Sequence, residues 1–198
     1  MRRTRIALLA LSVAASPAAA QHDAGGGGTS APTPPAEARQ FDFLIGSWEL
    51  EVRPTVSGLA ARLHGAPRFS GSWKAWRAFD GWGIEDELRI LDNRGNLRSI
   101  AHALRVLDQS AGRWSLTTLD VLAARFTPSS ASWNGREIVA TAQARDSDGK
   151  EHLARVRFFD IAPSSFRWEQ ARSYDNGKTW GEPTLRIKAR RTAANVTR

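Results

Sequence analysis

From Phe41 to about Arg191 the apolar residues recur at every second position and hardly anywhere at the spacing of a helix. Side chains alternate faces along a strand, so this period confines the chain to all-β architectures. Around the first strand, Leu44, Gly46, Trp48, Leu50 and Val52 share one face, with Glu49, Glu51 and Arg53 on the other. The same alternation returns over Phe69–Phe79, Trp82–Ile90, Arg98–Val106, Arg113–Asp120, Val121–Phe126, Glu137–Arg145, Glu151–Asp160, Ser165–Tyr174 and Thr184–Arg190.

Turn chemistry separates these runs. Asp80-Gly81 supplies the two positive-φ positions of a type I′ hairpin, and Asp92–Asn96 has the composition of a short loop ending in a glycine bulge. Further turns are expected at Asp108–Gly112, Asn134-Gly135, Asp146–Gly149 and Ala162–Ser165, and one short helix at Val56–His64. A flat sheet of about nine or ten strands would expose two open edges, which closure removes. The expected fold is therefore an antiparallel meander closing into a β-barrel of about 9–10 strands, with at most one short helix.

Outside that region the composition changes. Residues 1–20 have the layout of a secretory signal, with Arg2, Arg3 and Arg5 ahead of an apolar run from Ile6 and small residues Ala18–Ala20 at the end. The apolar run is about ten residues, short of the roughly 20 that span a bilayer as a helix, so no transmembrane segment is expected. Residues 21–40, rich in Gly and Pro, have too little apolar surface to offset their ordering entropy and read as a disordered tether. The barrel domain is then 41–192, followed by a disordered tail at 193–198.

The chain has no cysteine, which excludes disulfides, thiolate metal sites and a cysteine nucleophile. Its formal charge of +8 suggests a polyanion partner, but three of the 28 basic residues lie in the signal, leaving 25 against 20 acidic. That is ordinary for a soluble domain, and no nucleic-acid partner is expected. The four histidines are dispersed, without H-x-H or H-x-x-x-H spacing, so no metal site is expected.

The candidate functional residues are polar groups on apolar faces. Pairing Phe79 with Trp82 across the Asp80-Gly81 turn places Asp86 opposite Ala75 and diagonal to Trp73 and Arg77. A loop spanning Asp92–Asn96 places His102 across from Asp86, so that Arg77, Asp86 and His102 share the interior with Ile84, Leu88, Ile100 and Leu104. Further round, Gln170 and Arg172 share a face with Phe166, Trp168 and Tyr174, and Thr118 shares one with Trp114 and Leu116. The expected ligand-lining set is Arg77, Asp86, His102, Trp73, Trp168, Gln170 and Arg172. A carboxylate beside an imidazole can fix its tautomer, and an Arg can hold an anionic group. The alternative is a buried Arg and Asp that satisfy each other.

The segment Phe41–Trp48 resembles the F-x-F-x-x-G-x-W start of a group of uncharacterised bacterial exported proteins with a lipocalin-like, calycin-type barrel. The resemblance implies a structural Trp48 that closes the base. Nitrobindin-type haem barrels share the G-x-W start and rely on a late histidine, which this chain lacks from Leu153 onward, and no cofactor is expected. Ser173–Trp180 is similar to the S-x-D-x-G-x-T-W Asp-box of sialidases and other β proteins, which implies a self-tied turn.

Three functional readings follow. The leading one is an exported, periplasmic protein that binds a small, largely apolar or amphipathic molecule, with an acidic group met by Arg77 or Arg172. The others are a small-molecule isomerase or hydrolase using His102 with Asp86, and an envelope interaction module with a filled barrel.

Overall fold

Ten strands run up and down in sequence order and close on themselves. The computed structural model describes residues 32–56 and 67–192. The strands are β1 (Gly46–Pro54), β2 (Phe69–Ala78), β3 (Gly83–Leu91), β4 (Leu97–Asp108), β5 (Arg113–Asp120), β6 (Arg125–Trp133), β7 (Ile138–Arg145), β8 (Glu151–Ala162), β9 (Ser165–Ser173) and β10 (Leu185–Arg191). Every neighbouring pair is antiparallel, and β1 pairs with β10 to complete the wall. The helix expected at Val56–His64 falls almost wholly outside the described residues. Among those described, helical geometry is confined to short 3-10 turns at Ala36–Arg39, Asp42–Leu44 and Phe79–Gly81.

The Asp80-Gly81 turn forms as its sequence requires, with φ of 50° at Asp80 and 92° at Gly81, and Asp86 lies opposite Ala75. The next hairpin departs from expectation. Leu91 pairs with Leu97 but Ile90 pairs with Ser99, so a bulge at Arg98 inserts one extra residue into β4. A shift of one residue reverses both faces of a strand. His102 therefore pairs with Glu87 and Ala103 takes its expected place opposite Asp86. Ala101, Ala103, Arg105 and Leu107 point inward, whereas Ile100, His102, Leu104 and Val106 point outward.

Two further expectations are corrected. Val121–Ala124 is the turn between β5 and β6, not part of a strand, and the strand begins at Arg125. The Asp120 carboxylate accepts the Ala123 N–H at 3.1 Å and so closes that turn. The expected tether also ends too late, because Ala36–Gln40 is part of the folded domain. Ala38 is fully buried, and Gln40 accepts a hydrogen bond from Trp114.

The aromatic core occupies the end of the barrel where β1 starts and β10 finishes. Phe41 and Leu44, from the segment ahead of β1, are wholly buried there with Trp48, Trp114, Phe158 and Phe166. Phe41 meets Trp114 edge-on at 4.9 Å and Phe158 at 5.8 Å. The segment acts as a floor. Trp48 donates its indole N–H to the Leu44 carbonyl at 2.7 Å, tying floor to wall, and Arg191 stacks its guanidinium on the Trp48 ring at 4.2 Å. That Arg also donates to the carbonyls of Ile45, Phe43 and Pro163. Gly46 has φ of 119°, a backbone that favours glycine, and a Cβ there would press on the Arg191 guanidinium.

Candidate functional site

Three levels of the barrel interior differ in chemistry. At the floor, Arg77 donates to the Ala38 carbonyl at 2.8 Å and pairs with Asp42. Both partners belong to the segment ahead of β1. Arg77 is thus a latch for the floor and is not free to meet a ligand, which corrects its expected role.

In the middle, Asp86 is 2% exposed, and one of its carboxylate oxygens accepts the Trp73 indole N–H at 2.7 Å. The other meets Arg105, 5% exposed, as a close ion pair without an aligned hydrogen bond. Burial pushes the Arg105 guanidinium down to about 9, which leaves it charged at neutral pH and able to neutralise Asp86. Its Cζ also sits 5.3 Å from the centre of the Phe41 ring. Asp86 and Trp73 therefore form a structural triad with Arg105, a residue not expected from the sequence. One signal pointed to it: an inward carboxylate needs a cation on the adjoining strand, and Arg105 is in reach only if β4 carries the bulge.

His102 is on the opposite side of the wall from Asp86. Its side chain is 34% exposed, lies 3.6 Å from Glu85 and packs beside the Trp76 ring at 5.8 Å. The expected Asp86–His102 pair does not exist, and neither residue can support the other in proton transfer. Around His102 the outer face carries Trp76, Leu104 and Val106, all substantially exposed.

The far end of the interior is more open. Inward positions on many strands are only half-buried there: Gly71, Leu88, Ala101, Thr118, Ala142, Ala144, Val156, Trp168, Gln170 and Arg172. Several are small, which leaves space within the wall. Gln170 pairs with Val156 and Leu185, and Arg172 with Ala154, so both side chains face this space as expected. His152, opposite Ala144 on β7, faces it too and is diagonal to Arg172.

Unpaired buried nitrogens occur at Arg105 in the triad and at Arg155 Nε on the outer face, and two more face this end of the interior. Arg172 Nε and His152 Nδ1 are buried without a hydrogen-bond partner among the described residues. A buried polar group left unpaired costs about 1–3 kcal/mol, so a solute able to pair with them would be favoured. The His152 ring lies 5.5 Å from that of Tyr174. A cavity of about 460 Å³ opens beside Arg172, lined by Tyr174, Thr179, Glu182 and Thr184 among others.

The turn from Ser173 to Trp180 builds the rim of this cavity. Asp175 accepts the Thr179 N–H at 2.9 Å and the Ser173 hydroxyl at 2.7 Å, and Ser173 in turn accepts the Gly177 N–H at 2.8 Å. Gly177 supplies the left-handed φ of 85°. The hydrogen bonds from Thr179 hold the Asp175 carboxyl at about 2. Trp180 packs under the Arg155 guanidinium at 4.2 Å on the outer face, where Ala171 and Ser173 are buried. Among the described residues no cluster of three His, Asp or Glu side chains is placed to hold a metal, and no helix is long and apolar enough to cross a membrane.

No protein-family model and no curated protein matches the chain. Among solved structures it is similar to EF1p2_mFAP2b, whose structure was determined bound to DFHBI. The likeness covers 78% of this chain and 98% of that one, at 9% identity and a TM-score of 0.40.

Proposed function

We propose that this chain is an exported, non-catalytic carrier or sensor of a small, largely apolar molecule bearing an acidic group. The ligand sits in the open half of the barrel, with its acid on Arg172 and its apolar body against Trp168, Val156 and Leu88. The observation that carries this reading is the unpaired buried Arg172 Nε, with His152 Nδ1 diagonal to it, in a half-open and otherwise largely apolar wall. A few convergent polar groups in an apolar concavity are what small-molecule sites share. Export is supported by the signal-like layout of residues 1–20, and a lipocalin-like kinship by the Phe41–Trp48 start.

Palmitate and hexadecanol share a chain and differ at the head, so thermal shift and Trp quenching with both test the assignment. Palmitate is expected to bind and Arg172→Ala to weaken it by about tenfold or more, as a lost charge-assisted hydrogen bond would, while hexadecanol is affected little. If neither these nor aromatic acids shift the melting curve, the barrel is not a carrier.

A further inference from the structure

The wall is not equally sealed all round. The β6–β7 ladder pairs four positions, from Ser130↔Thr141 to Trp133↔Ile138, and then stops. Arg125–Ser129 continues along β5 and Ala142–Arg145 continues along β8, so each strand keeps its outer neighbour and loses the inner one. Pro128 lies in the diverging half of β6, where it lacks the N–H of a ladder residue. The separation leaves a groove of about 570 Å³ lined by Arg125, Phe126, Thr127, Pro128, Gln143, Ala144, Arg145 and Glu151.

Two of those lining residues belong to the interior. Thr127 continues the inward face of Thr118, and Ala144 is directly opposite inward-facing His152. The groove thus borders the same open half of the barrel. One inward row crosses from it: Ala144 on β7, His152 on β8, and Arg172 diagonal to His152 on β9. At its margin stand two arginines, Arg125 and Arg145, both with well-exposed side chains and each beside a carboxylate, Asp120 at 3.8 Å and Glu151 at 2.5 Å, in the kind of solvated pair that holds weakly.

We propose that the β6–β7 separation is a lateral doorway through which an anionic amphiphile enters and leaves the barrel. Arg125 and Arg145 attract its head, the small side chains of Thr127 and Ala144 keep the passage clear, and His152 and Arg172 receive the acid inside. Exposed Phe126 offers the apolar tail its first contact. The inference rests on the carrier reading above and adds the ligand's route.

A doorway has a kinetic signature that an anchor lacks. Narrowing it slows entry and exit by the same factor and leaves the dissociation constant unchanged, whereas removing an anchor mainly speeds exit. The test is stopped-flow binding of a dansyl-labelled fatty acid to the full chain, with wild type, Ala144→Phe, the Arg125→Ser/Arg145→Ser pair, and Asn93→Trp in the β3–β4 loop at the barrel mouth. Ala144→Phe is expected to slow association and dissociation alike by about tenfold. The arginine pair should lower the association rate and flatten its dependence on salt, and Asn93→Trp should change neither rate. The arginine variant keeps the test open if Ala144→Phe does not fold by circular dichroism. Unchanged rates in the doorway variants overturn the proposal, as does slowing by Asn93→Trp alone, which would place entry at the mouth. An Ala144→Phe variant that releases probe faster, at the wild-type association rate, overturns it as well. A wild type that binds no probe removes the carrier reading and this one together.

Discussion

Residue by residue, the interior is decided by how buried charge is neutralised. Asp86 and Arg105 lie against the aromatic floor with the Trp73 indole as a third member, so removing one charge strands the other. Asp86→Ala is expected to lower stability by roughly 3–5 kcal/mol in urea unfolding, and Asp86→Leu combined with Arg105→Met to recover most of the loss, as apolar replacements of buried ion pairs do. His102→Ala should shift stability by no more than about 0.5 kcal/mol, because its outer-face contacts are solvated. The sequence placed Asp86 on the inward face correctly and His102 there wrongly, while the ligand-lining role expected for Asp86 gives way to its pairing with Trp73 and Arg105. Apolarity favours Ile100, Leu104 and Val106 as the inward set, yet the extra residue at Arg98 turns them outward and brings Ala101 and Ala103 in. Arg172 and Gln170 were legible because β9 has no bulge before them. His152 was readable from period two alone, opposite Ala144, but a lone histidine near a loop carries little signal without knowledge of its unpaired nitrogen.

At the scale of the element, turns that bind their own backbone set the rim of the site. Asp175 titrates at about 2 because Thr179 and Ser173 donate to its charged form. A carboxyl depressed by folding stabilises the native state above its unfolded value and loses that contribution as the proton binds. Stability should therefore fall as the pH drops from about 4 to about 2, and Asp175→Asn should flatten that part of the profile in acid melting curves. At the opposite end, Arg191 ties β10 to three carbonyls and a ring that lie far away in sequence. Strand existence was legible at nearly every position, since alternation is a local property. Two boundaries were not. The β5–β6 turn at Val121–Ala124 contains no glycine, and four residues with Val and Leu among them read as strand until the Asp120 side chain is seen closing the turn.

For the whole molecule, the barrel is asymmetric along its axis: a solid aromatic half stabilises the fold and a looser half is left for solutes. Phe41 contributes to the first half from outside the sheet. Phe41→Ala should cost about 3–5 kcal/mol, the range for a fully buried aromatic, and red-shift Trp emission as Trp114 becomes wetter. The floor was only half legible, because Ala36–Gln40 carries no large apolar residue and is held by specific partners, Arg77 and Trp114, that composition does not reveal.

Joining β1 to β10 has a consequence for how such a molecule comes into being. The bond from Arg191 to Ile45 spans 146 positions, so the cylinder cannot shut until the chain has been made through Arg191. Contacts of that range form slowly. Until then the first strand waits with an open edge that only β10 can cover.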